Sequence, residues 1–384
     1  MSILFWLSVF VVFEAMIGYP LTLIIADKIL KPKENEKKKE YEPTVTLMIV
    51  AHDEEKVIGE KLRNAIEIDY PIQKYKILVA SDNSKDKTNK IVKLFIDENR
   101  EYDIRLYNSV NHYGKTNAQN EAQKLVNTEI LVMTDANAML KKDAIKELVS
   151  SFSGKDIAYV TGRLKYINTE DNNTAASEGL YWSNDLKCRD IESKLQTITA
   201  GNGAIYAVRN KDYIDVEPIE CHDSAFPILY AINGKRAIYN KDAVAYEKAG
   251  EIDKEEFDRK ARTSRLILKK IMPDVRIINI FKMKWFSYFY FGHRTCRYLL
   301  WIAHIIALIS NILLYRKSIL YKGTMFFQGV FFLLGILGLV SGTNNKLVRA
   351  ITYYLMTVFA QLKAVYNILT GKSKSTWEKA VSTR

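Results

Sequence analysis

The stretch Glu129-Ile130-Leu131-Val132-Met133-Thr134-Asp135-Ala136-Asn137-Ala138-Met139-Leu140 decides the fold of this chain. A short, continuous apolar run is typical of a buried strand in a parallel sheet. Ligands of open α/β sheets lie beyond the carboxyl ends of the strands, and Asp135 falls at such an end. Asp135 and Asn137 place two side-chain oxygens on one loop, which suits a hard divalent cation carrying a diphosphate. Taken alone, the pair is better explained by a plain turn after a strand, so a ligand site there needs support from the rest of the chain.

The composition favours an anionic partner. The 384 residues include 56 Lys and Arg against 44 Asp and Glu, a formal net charge of +12. Nucleic acid, nucleotide phosphate and an anionic membrane face all fit this balance. The lysines are concentrated beside apolar segments, which favours the membrane. The three cysteines (Cys188, Cys221 and Cys296) have no paired spacing, which argues against a disulfide framework or a structural zinc site.

Both ends of the sequence carry apolar segments of membrane-spanning length. Residues 3–26 contain one charge, Glu14, and lack the basic start and the cleavage site of a signal peptide. We therefore predict a retained anchor, and the lysine-rich residues 28–39 place the following domain in the cytoplasm. Near the other end, residues 298–314 and 324–345 are predicted to cross the bilayer.

Two further segments near the second end are predicted to lie at the membrane surface. Residues 281–291 mix aromatic side chains with lysines, as interfacial segments do. In residues 347–369 the apolar side chains recur at helical spacing but Arg349 and Lys363 interrupt them, which favours an interfacial helix over a crossing. The prediction is therefore a multi-pass protein of the cell membrane with a cytoplasmic catalytic domain.

The middle of the chain alternates strand and helix patterns. Strands are predicted at 45–51, 77–80 and 104–107, with helices between them. This alternation is typical of an α/β domain with a mostly parallel sheet and right-handed crossovers. We predict three regions in the chain. They are an anchor and linker at 1–42, a catalytic domain at 43–270, and an interfacial and transmembrane region at 271–384.

Several polar residues fall where this sheet would place a ligand. Asp82 and Asp135 each follow a strand, so one crevice can hold both. A carboxylate there can accept hydrogen bonds from a base or ribose, and a second can hold a metal. Lys115 follows Gly114 at a helix start, which suits phosphate contact as well as a simple turn. Taken alone, Asp82 is better explained as an Asx-turn residue.

The later candidates are also open to two readings. Gly201, Asn202 and Gly203 form a small, flexible segment before a strand, suited to a ligand or to a β-bulge. Asp223 is either a helix cap or a general base, and His222 beside it is a rival base. A helix further on carries Arg259 and Arg262 on one face, which a solvated basic surface would also explain.

Together these motifs resemble the membrane-bound family 2 glycosyltransferases, most closely their cellulose-synthase-like branch. The motifs that carry the resemblance, in order, are Val50-Ala51-His52-Asp53-Glu54-Glu55, Ser81-Asp82-Asn83-Ser84-Lys85-Asp86, Gly114-Lys115, Thr134-Asp135-Ala136-Asn137, Gly201-Asn202-Gly203-Ala204 and His222-Asp223. The resemblance covers residues 43–270 and extends to Gly18-Tyr19-Pro20 and to His293-Arg294 with Arg297.

This resemblance implies a GT-A type α/β fold and transfer with inversion at the sugar's anomeric carbon. The implied donor is a UDP-sugar and the implied cofactor Mg²⁺ or Mn²⁺, held by Asp135 and Asn137. Asp223 is the implied general base. The residues implied to bind the nucleotide sugar are Ala51, Asp53, Glu54, Asp82, Lys115, Asp135 and Arg262; those implied on the acceptor side are Gly201, Asn202, Gly203 and Arg259.

Two positions depart from the family pattern. Asn137 stands where the Asp-x-Asp motif has its second acid, and Thr263 stands where processive synthases have the Trp of Gln-x-x-Arg-Trp. We therefore expect transfer to a glycan or lipid-linked acceptor, with membrane lipids but no nucleic acid as partners. A processive polysaccharide synthase and a catalytically decayed nucleotide-binding scaffold are the alternatives. A dehydrogenase is excluded because no Gly-x-Gly-x-x-Gly follows the first strand.

Overall fold

The computed structural model describes residues 1–168, 173–341, 345–376 and 382–383, and these form two compact units. The sheet unit consists of Pro32–Ile167, Asn184–Ala249 and Lys374–Arg384. The helical unit consists of Met1–Lys31, Asn168–Ser183 and Gly250–Ser373. The chain thus passes between the units several times. The three consecutive regions expected from the sequence remain a prediction about its domains.

One sheet organises the sheet unit. Its strands are β1 (Val45–Ala51), β2 (Tyr75–Ser81), β3 (Asp103–Asn108), β4 (Ile130–Asp135), β5 (Met139–Leu140), β6 (Ile157–Tyr166), β7 (Tyr206–Arg209) and β8 (Arg236–Glu247), in the spatial order β3-β2-β1-β4-β7-β6-β8-β5. Strands β3, β2, β1 and β4 are parallel to one another, and β6 is parallel to β8. Strand β7 runs antiparallel to both of its neighbours, and β5 runs antiparallel to β8. The predicted mostly parallel α/β sheet is confirmed.

The register of the central strands brings their carboxyl ends to one edge. All seven residues of β1 are buried, as a strand covered on both faces requires. Ala51 at its end pairs with Ser81 of β2, and Val50 pairs with Asp135 of β4. Asp82, the residue after β2, therefore emerges at the same edge as Asp135.

The helices lie in both units. They are α1 (Ser2–Phe13), α2 (Tyr19–Leu30), α3 (Ile58–Ile66), α4 (Thr88–Glu98), α5 (Lys115–Gln123), α6 (Ala144–Ser150), α7 (Asn173–Leu195), α8 (His222–Ile232), α9 (Asp253–Thr263), α10 (Ile267–Ile271), α11 (Val275–Ile278), α12 (Ile280–Met283), α13 (Trp285–Tyr290), α14 (Leu300–Leu314), α15 (Ile319–Ser341) and α16 (Lys346–Leu369). Short 3₁₀ turns cover Ile72–Lys74 and Asn210–Asp212, and π-helical turns cover Glu14–Gly18 and Phe291–Cys296.

Among the described residues, two helices are long and apolar enough to cross a membrane. They are the continuous helix Ser2–Leu30 and α15, Ile319–Ser341. A third span results if Trp285–Cys296 and Leu300–Leu314, bent by 64°, count as one. Residues 342–344 of the predicted span 324–345 lie outside the described residues. Helix α16 buries one face, which includes Leu355, and its interfacial position stays a prediction.

Candidate functional site

The loop after β1 is fastened to the loop after β2. Asp53 adopts a left-handed backbone conformation with φ 52°, and its Oδ1 accepts hydrogen bonds from the backbone N–H groups of Lys85 (2.6 Å) and Asp86 (3.3 Å). The N–H of the buried Glu54 donates to Thr88 Oγ1 at 2.8 Å. The two acids of the predicted nucleotide-binding motif therefore build the rim of the crevice through their own hydrogen bonds.

Asp82 is a buried carboxylate, 1% exposed, that holds a third loop in place. Its two oxygens accept hydrogen bonds from the N–H groups of Tyr113 (3.2 Å) and Gly114 (2.9 Å). His112 Nδ1 lies 2.7 Å from Oδ2 of the same carboxylate, and the N–H of Asp82 donates to Ala51 O at 2.9 Å. Asp82 thus connects the ends of β1 and β2 to the loop that leads into α5.

His52, Asp82 and His112 form one group with metal-ligand chemistry. One ligand atom from each residue lies within 4.8 Å of the others. The two imidazoles stack with ring centroids 3.8 Å apart and an interplanar angle of 12°. The lone pair of a ring nitrogen lies in the plane of its ring, so two nearly parallel rings do not point at one ion. As they stand, these rings form a stacked pair over Asp82 rather than a cation cage.

The end of β4 offers a second, more open set of oxygens. The side chain of Asp135 is 31% exposed, and its Oδ1 contacts the ammonium of Lys115, the first residue of α5. Asn137 is half-buried two residues further along the same loop. A Cβ added to Gly203 would lie 3.0 Å from Lys115 Nζ and 3.1 Å from Asp135 Oδ2. The segment after residue 200 therefore faces the same carboxylate.

These residues fit a hard divalent cation. The Asp135 carboxylate is reachable from solvent and already points at a positive charge, that of Lys115. Carboxylate and amide oxygens, as in Asp135 and Asn137, are ligands that Mg²⁺ and Mn²⁺ accept. Because Asn137 is neutral, the site carries less negative charge than an Asp-x-Asp motif would supply.

Asp223 lies in the first turn of α8, close enough to Lys115 for their charges to interact. Its side chain is half-buried, and its backbone carbonyl accepts a hydrogen bond from the N–H of Gly201 at 2.7 Å. Burial lowers the pKa of Lys115, but the charges of Asp135 and Asp223 outweigh it and raise that pKa above its usual value. The three charges are therefore close enough to act on one another.

The segment 201–203 is shaped by close packing. A Cβ on Gly201 would lie 1.7 Å from the hydroxyl oxygen of Tyr159, so only glycine fits there. The carbonyl of Gly201 accepts a hydrogen bond from Arg189 at 2.6 Å. Asn202 is buried, and its amide donates to the carbonyl of Gly162 at 2.7 Å. The acceptor-side role of these residues stays a prediction, and their conformation is fixed by contacts within the sheet unit.

His222 is a structural residue, although the sequence left it as a rival base. It is 1% exposed, and its Nδ1 lies 2.9 Å from Gln119 Oε1. Its Nε2 lies 2.8 Å from both the hydroxyl of Tyr213 and Oδ1 of Asn120. Burial, assisted by the charge of Lys115, lowers its pKa to about 3. The imidazole is neutral at physiological pH, and both of its nitrogens already have hydrogen-bond partners.

Arg259 and Arg262 lie on α9 of the helical unit, not in the sheet unit. The guanidinium of Arg259 donates to Glu256 Oε2 at 2.7 Å and contacts the buried carboxylate of Glu178. Tyr353 of α16 donates to the same Glu256 at 3.4 Å. Arg259 therefore takes part in a buried ionic cluster of its own unit, and its predicted contact with an acceptor stays a prediction.

Lys61 on α3 is not among the site residues that the sequence predicts. Its side chain is fully buried and donates to the carbonyl of Ala138 and to Thr134 Oγ1, the latter at 3.1 Å. Burial lowers its pKa to about 7 despite the nearby charge of Asp135. A signal was present, because Lys61 stands on the apolar face that α3 forms with Ile58 and Leu62.

The sheet and its helices have the GT-A fold. The mannosyltransferase PcManGT from Pyrobaculum calidifontis, solved with GDP-Man and Mn²⁺, shares the fold with a TM-score of 0.71 at 21% identity. The match covers 96% of this chain and 99% of that one. The predicted GT-A architecture with apolar helices at both ends is confirmed.

One continuous stretch of the sequence matches a family model. Residues 46–216 match the model of glycosyl transferase family 2. The prediction that the protein is a glycosyltransferase is confirmed. The match is to the family as a whole and does not single out its cellulose-synthase-like branch.

Relatives of this chain are similar to it over only part of their sequences. The β-monoglucosyldiacylglycerol synthase of Trichormus variabilis is 28% identical over 130 residues, which is 34% of this chain and 28% of that protein. The hyaluronan synthase of Streptococcus pyogenes is 22% identical over 268 residues, 63% of this chain and 62% of that protein. The chain thus spans less than two thirds of either relative.

Proposed function

We propose that the protein is an inverting glycosyltransferase that moves a sugar from a UDP-sugar to a membrane-bound acceptor at the cytoplasmic membrane face. One observation carries this proposal: Asp135, Lys115, Gly203 and Asp223 meet in a single crevice at the carboxyl edge of the sheet. That edge is where open α/β sheets bind ligands. In a catalytically decayed scaffold we would not expect a solvent-reachable carboxylate (Asp135), its paired ammonium (Lys115) and a second acid (Asp223) to remain together.

In this proposal the nucleotide lies over the loops after β1 and β2. Ala51, Asp53 and Glu54 form one wall, and Asp82 acts by holding the loop of His112 to Gly114 against it. The diphosphate reaches Asp135 and Asn137. Mg²⁺ or Mn²⁺ held by these two residues would neutralise the charge that develops on the leaving diphosphate.

Lys115 is proposed to contact the diphosphate directly. It begins α5, where N–H groups of the first helical turn also favour an anion. The raised pKa keeps its ammonium charged at neutral pH. Lys115 would exchange its contact with Asp135 for one with a phosphate oxygen when the donor binds.

Asp223 is proposed to be the general base. Its carboxylate takes the proton from an acceptor hydroxyl while that oxygen attacks the anomeric carbon and the bond to the diphosphate breaks on the opposite side. This in-line displacement inverts the configuration. His222 beside it is unsuited to the role, because it is buried, neutral and already hydrogen-bonded at both nitrogens.

A lipid-linked or glycolipid acceptor fits the rest of the chain. Apolar helices flank the catalytic domain, and one relative is named for a glycosylated diacylglycerol. The family pattern gives Arg262 a donor-side role and Arg259 an acceptor-side role, and both roles stay predictions. Thr263 replaces the Trp of processive synthases, so we expect transfer of one sugar per encounter rather than polymerisation.

The test is donor turnover by the full-length protein in detergent. Incubated with Mn²⁺ and a panel of nucleotide sugars, the wild type should release UDP from one or a few UDP-sugars. Asp223→Asn should lower turnover about 10²–10⁴-fold while leaving the dissociation constant of the donor nearly unchanged. Asp97→Asn, an exposed acid of α4, is the control for loss of one charge. Full turnover by Asp223→Asn would remove the proposed base.

The membrane face is tested separately by labelling. A cysteine introduced at the exposed Lys39, in the linker after α2, should resist membrane-impermeant maleimide in intact cells and react once the cells are opened. Labelling from outside would reverse the proposed orientation without affecting the assignment of the chemistry.

A further inference from the structure

Helix α3 forms hydrogen bonds to both ends of the loop that carries Asp135 and Asn137. At the near end, Lys61 donates to Thr134 Oγ1 at 3.1 Å and contacts the carbonyl of Ala138. At the far end, the side-chain amide of Asn64 donates to the carbonyl of Leu140 at 2.9 Å and accepts from its N–H at 2.8 Å. Two residues one helical turn apart therefore fix loop 134–140 at both of its attachments.

The contact of Lys61 continues into the segment opposite. Thr134, which accepts from Lys61, donates its hydroxyl proton to the carbonyl of Ala204 at 2.7 Å. Ala204 follows Gly203, whose Cα faces Lys115 and Asp135. One buried chain of hydrogen bonds thus connects α3 to both walls of the crevice.

Burial of the Lys61 ammonium is unfavourable for folding, although the charges of Asp135 and Glu247 partly offset that cost. Its side chain is fully buried, and among the described residues its hydrogen-bond acceptors are a hydroxyl and a carbonyl, both neutral. A buried ammonium without a bonded counter-charge costs free energy, and an apolar side chain of similar volume is commonly as stable or more so. Its lowered pKa reflects this cost. A lysine in this place is therefore better explained by the geometry it imposes.

We propose that Lys61 and Asn64 are positioning residues for the transfer reaction, which hold loop 134–140 so that Asp135, Asn137 and Gly203 keep the geometry that binds the metal and the diphosphate. Neither side chain touches substrate. The inference rests on the proposed function, because it assumes that this loop binds a divalent cation.

The test measures Mn²⁺ binding rather than activity. The dissociation constant of Mn²⁺ is determined by electron paramagnetic resonance of the free ion, with full-length protein and saturating UDP. Lys61→Met keeps the length of the side chain but removes its charge and its donors. It should weaken Mn²⁺ binding about 10–100-fold, as loss of outer-shell partners of metal ligands does. Lys93→Met, an exposed lysine of α4, is the matched control and should bind as the wild type does.

The direction of the change in Mn²⁺ affinity distinguishes the positioning effect of Lys61 from the effect of its charge. Removing a buried positive charge near Asp135 would by itself strengthen cation binding, so tighter binding by Lys61→Met would overturn the inference. Unchanged affinity together with a lower melting temperature would also overturn it, leaving Lys61 a purely structural residue.

Two neutral substitutions keep the test decisive if Lys61→Met does not fold. Asn64→Leu and Thr134→Val change no charge, and each should also weaken Mn²⁺ binding by several-fold. Wild-type affinity in both would overturn the inference. If wild-type protein binds UDP equally with and without Mn²⁺, the metal site of the proposed function fails. If wild-type binding depends on Mn²⁺ and the variants match it, only the present inference fails.

Discussion

The loops after β2 and β4 each begin with an aspartate at the same edge of the sheet, yet the two side chains are in opposite states. Asp82 is 1% exposed, and its oxygens are taken by two backbone N–H groups and His112. Asp135 is 31% exposed at its side chain and is approached by the ammonium of Lys115. The first carboxylate maintains the architecture, and the second remains reachable for a ligand.

The same contrast separates two neighbouring residues on α8. His222 is buried with both ring nitrogens hydrogen-bonded, whereas the side chain of Asp223 is half-buried and acts on Lys115. Side chains that the sequence presents as equivalent candidates therefore differ in their number of protein partners, and we propose that those with fewer partners are the reactive ones. The following predictions test that division, in order of decreasing effect.

The largest effect is expected for Asp135→Asn. Because this carboxylate is a proposed metal ligand and not a structural anchor, affinity for UDP in the presence of Mn²⁺ should fall at least about 100-fold, more than outer-shell changes cost. The melting temperature should stay within about 2 °C, since one partly exposed charge contributes little to stability. Isothermal titration and thermal unfolding measure the two quantities. A large loss of stability would show that Asp135, like Asp82, is a structural residue.

Asp82→Asn should have the opposite pattern, a large loss of stability and a smaller loss of UDP affinity. One carboxylate oxygen becomes an amide N–H that faces the backbone donors of Tyr113 or Gly114, so a buried hydrogen bond is lost. The free energy of unfolding should fall by about 1.5–3 kcal/mol, as for hydrogen bonds to charged groups. Thermal unfolding should report it, with a smaller loss of UDP affinity. An unchanged melting temperature combined with a 100-fold loss of affinity would make Asp82 a direct donor contact.

His222→Gln should reduce the sensitivity of folding to acid. The pKa of His222 is about 3 in the folded protein and near 6.5 when unfolded, so between these values the unfolded state binds a proton that the folded state does not. Stability is therefore lost as pH falls below about 6.5, by up to about 1.4 kcal/mol per pH unit from this group. The drop in melting temperature from pH 7.5 to 5.5 should be smaller in His222→Gln than in wild type. An equal drop would contradict the buried neutral imidazole.

The smallest effect is expected for Asn137→Asp. A second carboxylate on the loop adds charge to the proposed cation site, so Mn²⁺ should bind several-fold more tightly in the presence of UDP, because ligand charge tunes affinity at such sites. Titration of free Mn²⁺ measures the change. Weaker or equal binding would show that Asn137 and Asp135 do not share the ion.

The sequence was most informative where local patterns decide the structure. Strand β1 has the predicted bounds, Val45 to Ala51, because a run of apolar and β-branched residues permits few alternatives. Asp135 was correctly placed at a strand end for the same reason. Both inferences need only the residues within a few positions of the one concerned.

What the sequence could not supply depends on pairings between distant residues. The burial of His222 requires hydrogen bonds to Gln119 and Tyr213, and the residues next to His222 in the sequence do not predict these partners. The role of Asp82 depends on residues 112–114, and a lone lysine such as Lys61 is normally solvated. The insertion of β7 between β4 and β6 is likewise a long-range result.

The strand order also has a consequence for biosynthesis. Strand β6, residues Ile157–Tyr166, precedes both of its neighbours in the chain, β7 at Tyr206–Arg209 and β8 at Arg236–Glu247. Strand β6 is therefore synthesised before both strands that it pairs with. Until they have been synthesised it has no hydrogen-bonding partner on either side, and such an unpaired strand is prone to pair with other chains. Synonymous codons that slow translation just after residue 166 should lengthen this interval. They should lower the yield of folded full-length protein in membranes without altering the specific activity of the molecules that fold.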